Sequence, residues 1–127
     1  MRALVIDDSR AMRSILRGIL DSLDFDVIEA ADGRRAVEIL AEDREFDLAL
    51  VDWNLPEMSG LEIVTEVRKD ARLAATRLLM VTTETEIERV TQALQAGADE
   101  YIMKPFNRDM LLDKLVILGI PVDAAKA

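Results

Sequence analysis

With 127 residues, half of them hydrophobic, the chain is the length of one domain and has enough apolar side chains for a compact core. Its 16 basic and 25 acidic residues leave a net charge of −9, which repels a nucleic-acid backbone, so we expect no nucleic-acid partner. The chain contains neither cysteine nor histidine, which excludes disulfides, thiolate chemistry and the usual general base. Any chemistry must rely on carboxylate, amine, hydroxyl and oxygen-bound metal.

The sequence also lacks the segments that direct a chain to a membrane. No apolar run approaches the roughly 18 to 20 residues that cross a bilayer. The N-terminal segment reaches two acids, Asp7 and Asp8, too early for a signal peptide. We therefore expect a cytoplasmic protein with no membrane partner.

Short apolar strands alternate with amphipathic helices, beginning with a strand over residues 3–6 that ends at Asp7-Asp8. Ser9 or Asp8 can cap the helix that follows. Three- and four-residue spacing predicts that this helix buries Met12, Ile15, Leu16, Ile19, Leu20 and Leu23. Its other side carries Arg10, Arg13 and Arg17, which we interpret as a solvated face.

The middle of the chain predicts a second strand over residues 26–30 and then a helix that buries Ala36, Val37 and Leu40. Residues 46–52 form a nearly continuous apolar run that ends in the carboxylate of Asp52. Such a run is typical of a parallel strand that is covered on both faces. The next segment is a loop, and Ser59 can cap a helix with an inward stripe of Leu61, Val64 and Val67.

The second half of the chain continues the alternation, with strands expected over residues 77–82 and 99–103. The fourth strand ends at Thr82, and the fifth ends at Lys104-Pro105. The helix between these two strands is predicted to bury Ile87, Val90 and Leu94. The helix after the fifth strand is predicted to bury Leu111, Leu115 and Leu118. Gly97 ends the first of these helices, and Asn107 begins the second.

Five strand–helix units in strict alternation predict a flavodoxin-like α/β fold, (βα)5, over residues 1–120. The five-stranded parallel sheet would have the order 2-1-3-4-5, with helices on both faces. Residues 121–127 would form a short tail, with no output domain. In this order a crevice opens between the carboxyl ends of strands 1 and 3, where Asp7, Asp8 and Asp52 would meet.

Three clustered carboxylates repel one another, and a cation is the natural remedy. Oxygen ligands suit Mg²⁺, which commonly works together with a phosphate. Thr82 and Lys104, at the same sheet edge, would supply a hydroxyl and a positive charge to such a phosphate. Asp52 lies centrally and is the best candidate for a nucleophile toward phosphorus.

The set of Asp7-Asp8, Asp52, Thr82 and Lys104-Pro105, each at a strand end, resembles the response-regulator receiver domain. The resemblance covers essentially the whole chain and is closest to the stand-alone, CheY-like chemotaxis form. It implies a signalling protein rather than an enzyme, phosphorylated on Asp52 by a histidine kinase. The metal ligands would be Asp8, Asp52 and the backbone carbonyl of Asn54, with Asp7 acting through water. Lys104 would pair with the phosphoryl group, and its bond to Pro105 would be cis.

The same resemblance implies a switch and a readout surface. Thr82 would be drawn toward the phosphoryl group, and Tyr101 would swing into the space that Thr82 leaves. The altered face, helix 4, strand 5 and helix 5 over roughly residues 87–118, would bind a downstream protein. Thr83 departs from the family, which usually has a small residue there, and this puts the lifetime of the phosphorylated state in doubt.

Three alternatives stay open at the level of the residues. Within the signalling class, the chain could be a phosphorelay intermediate or a phosphate sink. An Mg²⁺-dependent phosphatase working through an aspartyl-phosphate is a second class, although the haloacid-dehalogenase type needs an acid where Asn54 stands. A nucleotide-binding flavodoxin relative would need a phosphate-cradling loop after strand 1, which Asp7-Asp8 would repel.

Overall fold

The computed structural model describes residues 1–42 and 45–122. Within these ranges the strands are β1 (Arg2–Ile6), β2 (Asp26–Ala30), β3 (Leu48–Asp52), β4 (Arg77–Thr82) and β5 (Glu100–Met103). The α-helices are α1 (Arg10–Ser22), α2 (Gly33–Ala41), α3 (Gly60–Arg68), α4 (Val90–Ala96) and α5 (Arg108–Ile117). Strands and helices alternate as predicted.

All neighbouring strands pair in parallel in the order β2-β1-β3-β4-β5, which confirms the predicted topology. Ile6 lies opposite Val51, and Thr82 lies opposite Met103. The carboxyl ends of β1, β3, β4 and β5 are therefore level, and the residues that follow them share one edge of the sheet. Every residue of β3 is buried, as its continuous apolar run predicts.

The sheet separates two apolar layers, because successive side chains of a strand point to opposite faces. Leu4, Val51 and Met80 pack on the face covered by α2, α3 and α4. Val5, Leu50 and Leu79 pack on the face covered by α1 and α5. Helices therefore cover both faces, as expected for a doubly wound sheet.

The predicted helix caps are present. Ser9 caps α1 by accepting a hydrogen bond from the amide of Met12. Ser59 forms a capping box with Glu62 at the start of α3, and Asn107 caps α5. These caps fix the direction in which each helix leaves the carboxyl edge of the sheet.

Two predicted core positions are wrong. Ile15 of α1 is 58% exposed, because the buried stripe is centred on Leu16 and Leu20 and Ile15 lies beyond its edge. Leu94 of α4 is 39% exposed. The segment Glu84–Arg89 is a 3₁₀ helix, and α4 begins only at Val90. The face toward the core is consequently centred on Val90 and the small Ala93.

Among the described residues, no helix combines the length and the apolar character that a membrane crossing requires. Ile120 is buried, and Val122 packs against the layer under α1 and α5. Of the predicted tail, residues 123–127 lie outside the described residues. The domain boundary at residue 120 stays a prediction.

Candidate functional site: an acidic pocket at the carboxyl edge

The carboxyl ends of β1 and β3 bring Asp7, Asp8 and Asp52 together. One carboxylate oxygen from each lies within 4.8 Å of the others. Asp7 is 2% exposed and Asp52 is 6% exposed, whereas Asp8 is at the surface. The site is therefore a pocket with two buried carboxylates at its base and one at its mouth.

Lys104 follows β5 and extends its ammonium group into this pocket. Its Nζ lies 3.6 Å from Oδ2 of Asp7 and 3.5 Å from Oδ1 of Asp52. Both distances exceed those of a tight charge-assisted hydrogen bond, which are about 2.7–2.9 Å. One ammonium group pairs with two of the three clustered carboxylates, so these four groups together keep a net negative charge.

One oxygen of Asp7 is left without a hydrogen bond. Oδ1 accepts the amide of Ser9 at 2.8 Å, but Oδ2 is buried and has no hydrogen-bond donor. A buried polar atom without a partner costs free energy that a ligand can recover. Carboxylate oxygens that face one another across a few ångströms are suitable ligands for Mg²⁺. The residues present therefore fit the ion that the resemblance implies.

Burial raises the pKa of Asp52 from its ordinary 3.8 to about 6. The negative charge of Asp7 adds to the rise, while Lys104 and the amide of Asn54 oppose it. The charged form of Asp52 is thus poorly solvated in the pocket. A cation that binds beside Asp52 would relieve this cost directly.

Thr82 and Asn54 lie beside the carboxylates. Thr82 is fully buried at the end of β4, and its Oγ1 donates a long hydrogen bond of 3.3 Å to the carbonyl of Thr83. The amide of Asn54 lies 3.5 Å from Oδ1 of Asp52, which places the β3–α3 loop at the pocket. The Asn54 carbonyl as a metal ligand stays a prediction.

Tyr101 on β5 lies at the border between the core and the surface. It packs partly against the layer under α3 and α4. Nζ of Lys114 lies 4.8 Å from the centre of its ring and pairs with Glu100 at 3.4 Å. The Lys104-Pro105 bond is cis, as expected.

Two features of the pocket's surroundings were not found from the sequence. Arg13, interpreted as part of a solvated face, has a side chain only 15% exposed and contacts the backbone of Asp7. Thr83 starts the 3₁₀ helix with one half of a capping box, because its amide and its Oγ1 both donate to the Glu86 carboxylate, at 3.2 and 2.6 Å. The Thr-x-x-Glu spacing could have revealed the box, whereas no local pattern distinguishes Arg13 from its neighbours.

Comparisons with known proteins agree with this geometry. A family model described as the response regulator receiver domain matches residues 3–116. Chemotaxis protein CheY1 of Helicobacter pylori is 43% identical over 121 residues, which cover 94% of this chain and 98% of that protein. A chemotaxis protein CheY homolog of Campylobacter jejuni is 41% identical over 116 residues, covering 91% and 89%.

Solved structures show the same kind of similarity. The structure of chemotaxis response regulator CheY4 of Vibrio cholerae superimposes with a TM-score of 0.85 at 36% identity, covering 92% of this chain and 97% of that one. The similarity therefore covers most of both chains.

Proposed function

Since this chain belongs to the response regulator receiver family, we propose that it is a chemotaxis response regulator that accepts a phosphoryl group on Asp52 from a histidine kinase. Members of this family are signalling proteins, and the relatives described above are named chemotaxis proteins. One observation supports the assignment of Asp52 above all others. Its buried carboxylate ends the central strand between Asp7 and Lys104, where a phosphoryl group would meet both a metal site and an ammonium group.

Each residue of the pocket would have a different role, which follows from its position. Asp8, Asp52 and the Asn54 carbonyl would hold Mg²⁺, with Asp7 acting through water, and the bound ion would neutralise charge on the transferred group. A carboxylate oxygen of Asp52 forms a bond to phosphorus while the phosphorus–nitrogen bond of a phosphohistidine breaks. The imidazole leaves and is protonated by solvent. Lys104 lies 3.5 Å from Asp52 and stabilises the phosphoryl oxygens.

The signal would pass from Thr82 to Tyr101. The Thr82 hydroxyl makes only a 3.3 Å hydrogen bond to the Thr83 carbonyl, and a phosphoryl oxygen would be a stronger acceptor. Movement of Thr82 toward Asp52 would vacate space at the end of β4, into which Tyr101 could turn. Phosphorylation adds about −1.5 to −2 charge and so shifts the population between these two arrangements.

The surface read by a downstream protein would be residues 87–118. This surface carries exposed apolar side chains at Leu94, Met103, Met110, Val116 and Ile117. Tyr101 and Lys114 line a cavity of about 280 Å³ between β5 and α5 on the same surface. Exposed apolar groups beside a partly buried aromatic residue suit a protein partner. We expect the protein to act in the cytoplasm and to have no catalytic activity beyond its own phosphorylation and dephosphorylation.

The test is phosphorylation by acetyl phosphate in the presence of Mg²⁺, followed by intact mass and by the fluorescence of Trp53. We expect the wild-type mass to increase by one phosphoryl group and the fluorescence to change, because Trp53 adjoins Asp52. Asp52→Asn should abolish both responses. Asp21→Asn, on the exposed side of α1, is the matched control and should respond as the wild type does.

An unchanged wild-type mass would contradict the proposal. A phosphorylated mass that persists in Asp52→Asn would assign the acceptor elsewhere. Repeated turnover of a small phosphate ester would instead favour the phosphatase alternative.

A further inference from the structure

Arg13, on the first turn of α1, connects three elements around the acidic pocket. Its Nη1 donates a hydrogen bond of 2.6 Å to the backbone carbonyl of Asp7, after β1. Its Nε donates to the carboxylate of Glu29 on β2 at 3.2 Å. Arg17, one turn later, contacts the other oxygen of Glu29 at 2.6 Å. Arg13 and Arg17 therefore share an acceptor, but of the two only Arg13 contacts Asp7.

The acceptor is the backbone carbonyl of Asp7, which lies between the side chains of Asp7 and Asp8. It belongs to the peptide that joins Asp7 to Asp8. The amide of Asp7 is fixed independently, because it donates to the carbonyl of Ala30 at 3.1 Å. The Arg13 contact therefore fixes the second peptide plane of Asp7, and Asp8 extends from that plane to the mouth of the pocket.

We propose that Arg13 is a positioning residue for the Mg²⁺ site, acting through the Asp7–Asp8 peptide. The inference rests on the proposed function, since it concerns the same pocket. Groups that orient metal ligands without touching the metal typically contribute 10–100-fold to affinity. Arg13 has the required position, because its guanidinium group contacts the peptide between Asp7 and Asp8 and is itself anchored to Glu29 on a neighbouring strand.

The guanidinium group is suited to this task for a geometric reason. Its planar fork presents Nε to Glu29 and Nη1 to the Asp7 carbonyl at the same time. An ammonium group is a single point of charge without a fixed fork, so lysine would not reproduce both directed contacts. Arg17, whose side chain is 40% exposed against 15% for Arg13, lies outside this arrangement.

Charge and positioning predict opposite effects on Mg²⁺ binding. A positive side chain near a cation site weakens cation binding through Coulomb repulsion, so removing it would strengthen binding. Loss of a positioning contact would weaken binding, because the ligands would have to be ordered when the ion enters. The direction of the change in affinity therefore identifies which role Arg13 has.

The experiment is isothermal titration calorimetry of the full chain with MgCl₂ at constant ionic strength. We expect Arg13→Met to raise the dissociation constant about tenfold or more. Arg17→Met is the matched control, since it removes the same charge and a contact with the same Glu29. It should change the dissociation constant by less than about twofold or lower it slightly. Arg13→Lys should bind more weakly than wild type although it keeps the charge.

Urea unfolding of each variant separates positioning from a general loss of structure. We expect Arg13→Met to be the less stable of the two variants, since it also loses the hydrogen bond to the Asp7 carbonyl, but both should stay folded under the conditions of the titration and differ in Mg²⁺ affinity. If Arg13→Met does not fold, Arg13→Lys provides the test, because it keeps the positive charge and should still weaken Mg²⁺ binding.

Equal Mg²⁺ affinity in wild type and a folded Arg13→Met, tighter binding by that variant, or equal weakening by Arg17→Met would overturn the inference while leaving the proposed function intact. Equal affinity of wild type and Arg13→Lys would overturn it as well. A wild-type protein that binds no Mg²⁺ would overturn both.

Discussion

The two edges of the sheet differ in how completely their charged side chains are hydrogen-bonded. At the amino edge, Arg68 donates hydrogen bonds of 2.9 Å to the carbonyls of Gly97, Leu73 and Thr76. It also contacts the carboxylate of Asp99 at 2.9 Å, and Asp99 accepts the amide of Leu78. At the carboxyl edge, Lys104 stands 3.5 and 3.6 Å from its two acids, and one oxygen of Asp7 has no donor.

The difference separates a structural cluster from a site that is prepared for a ligand. Arg68 and Asp99 satisfy one another and the surrounding backbone, so nothing further is required there. The acidic pocket is electrostatically incomplete, with a raised pKa at Asp52 and excess negative charge. The acidic pocket thus lowers the free energy of unfolding, and binding of a cation or a phosphoryl group would raise it again.

Disrupting the amino edge should have the largest effect on stability. Arg68→Met leaves three carbonyls and the carboxylate of Asp99 without their shared donor, and we expect the free energy of unfolding to fall by about 3 kcal/mol. Urea denaturation measures this change. Lys69→Met is the control, because Lys69 pairs with Glu66 at the exposed surface, and it should cost less than about 0.5 kcal/mol. Equal losses in the two variants would show that Arg68 is not an organising residue.

The same carboxylate-to-amide change should have opposite signs at the two edges. The folded pKa of Asp52 is about 6, above its ordinary 3.8, so its ionised form destabilises the fold. The stabilising contribution of the protonated group is complete below about pH 4 and is lost as the pH rises through 6. Without Mg²⁺, Asp52→Asn should therefore raise the free energy of unfolding by about 2 kcal/mol at pH 7.5 and have little effect at pH 4.

Asp99→Asn provides the comparison. It removes the charge that faces Arg68, and we expect it to lower the free energy of unfolding by about 1 kcal/mol at pH 7.5. Urea denaturation at several pH values measures both variants. A loss of stability in Asp52→Asn at neutral pH would mean that the pocket's carboxylates are already satisfied.

Ligand binding should stabilise the fold only through the carboxyl edge. At a Mg²⁺ concentration ten times its dissociation constant, wild type should gain about 1.4 kcal/mol by mass action. The measurement is thermal or urea unfolding with MgCl₂ against NaCl of equal ionic strength. Asp8→Ala, a change at an exposed position, should abolish the gain, whereas Arg68→Met should keep it. Equal stabilisation by the two salts would indicate screening without a specific site.

The sequence alone determined the fold and the edge at which the candidate site lies. Continuous apolar runs such as β3 and the periodic apolar positions of the helices are local signals, since they state which faces must be buried. The parallel topology follows from their alternation. The acids and Lys104 fall directly after these strands, so their convergence follows once the order of strands is known.

Only the tertiary structure decided which charges are satisfied and which are left open. Arg13 and Arg17 lie one turn apart on α1 and both contact Glu29 of β2, yet only Arg13, which is nearer the end of β1, reaches the Asp7 carbonyl. Arg68 contacts Asp99, 31 residues later, because α3 and β5 come together at the amino edge. Likewise, the exposure of Leu94 depends on a 3₁₀ segment that shifts the start of α4. Such contacts join residues distant in the chain, and a local pattern carries no information about them.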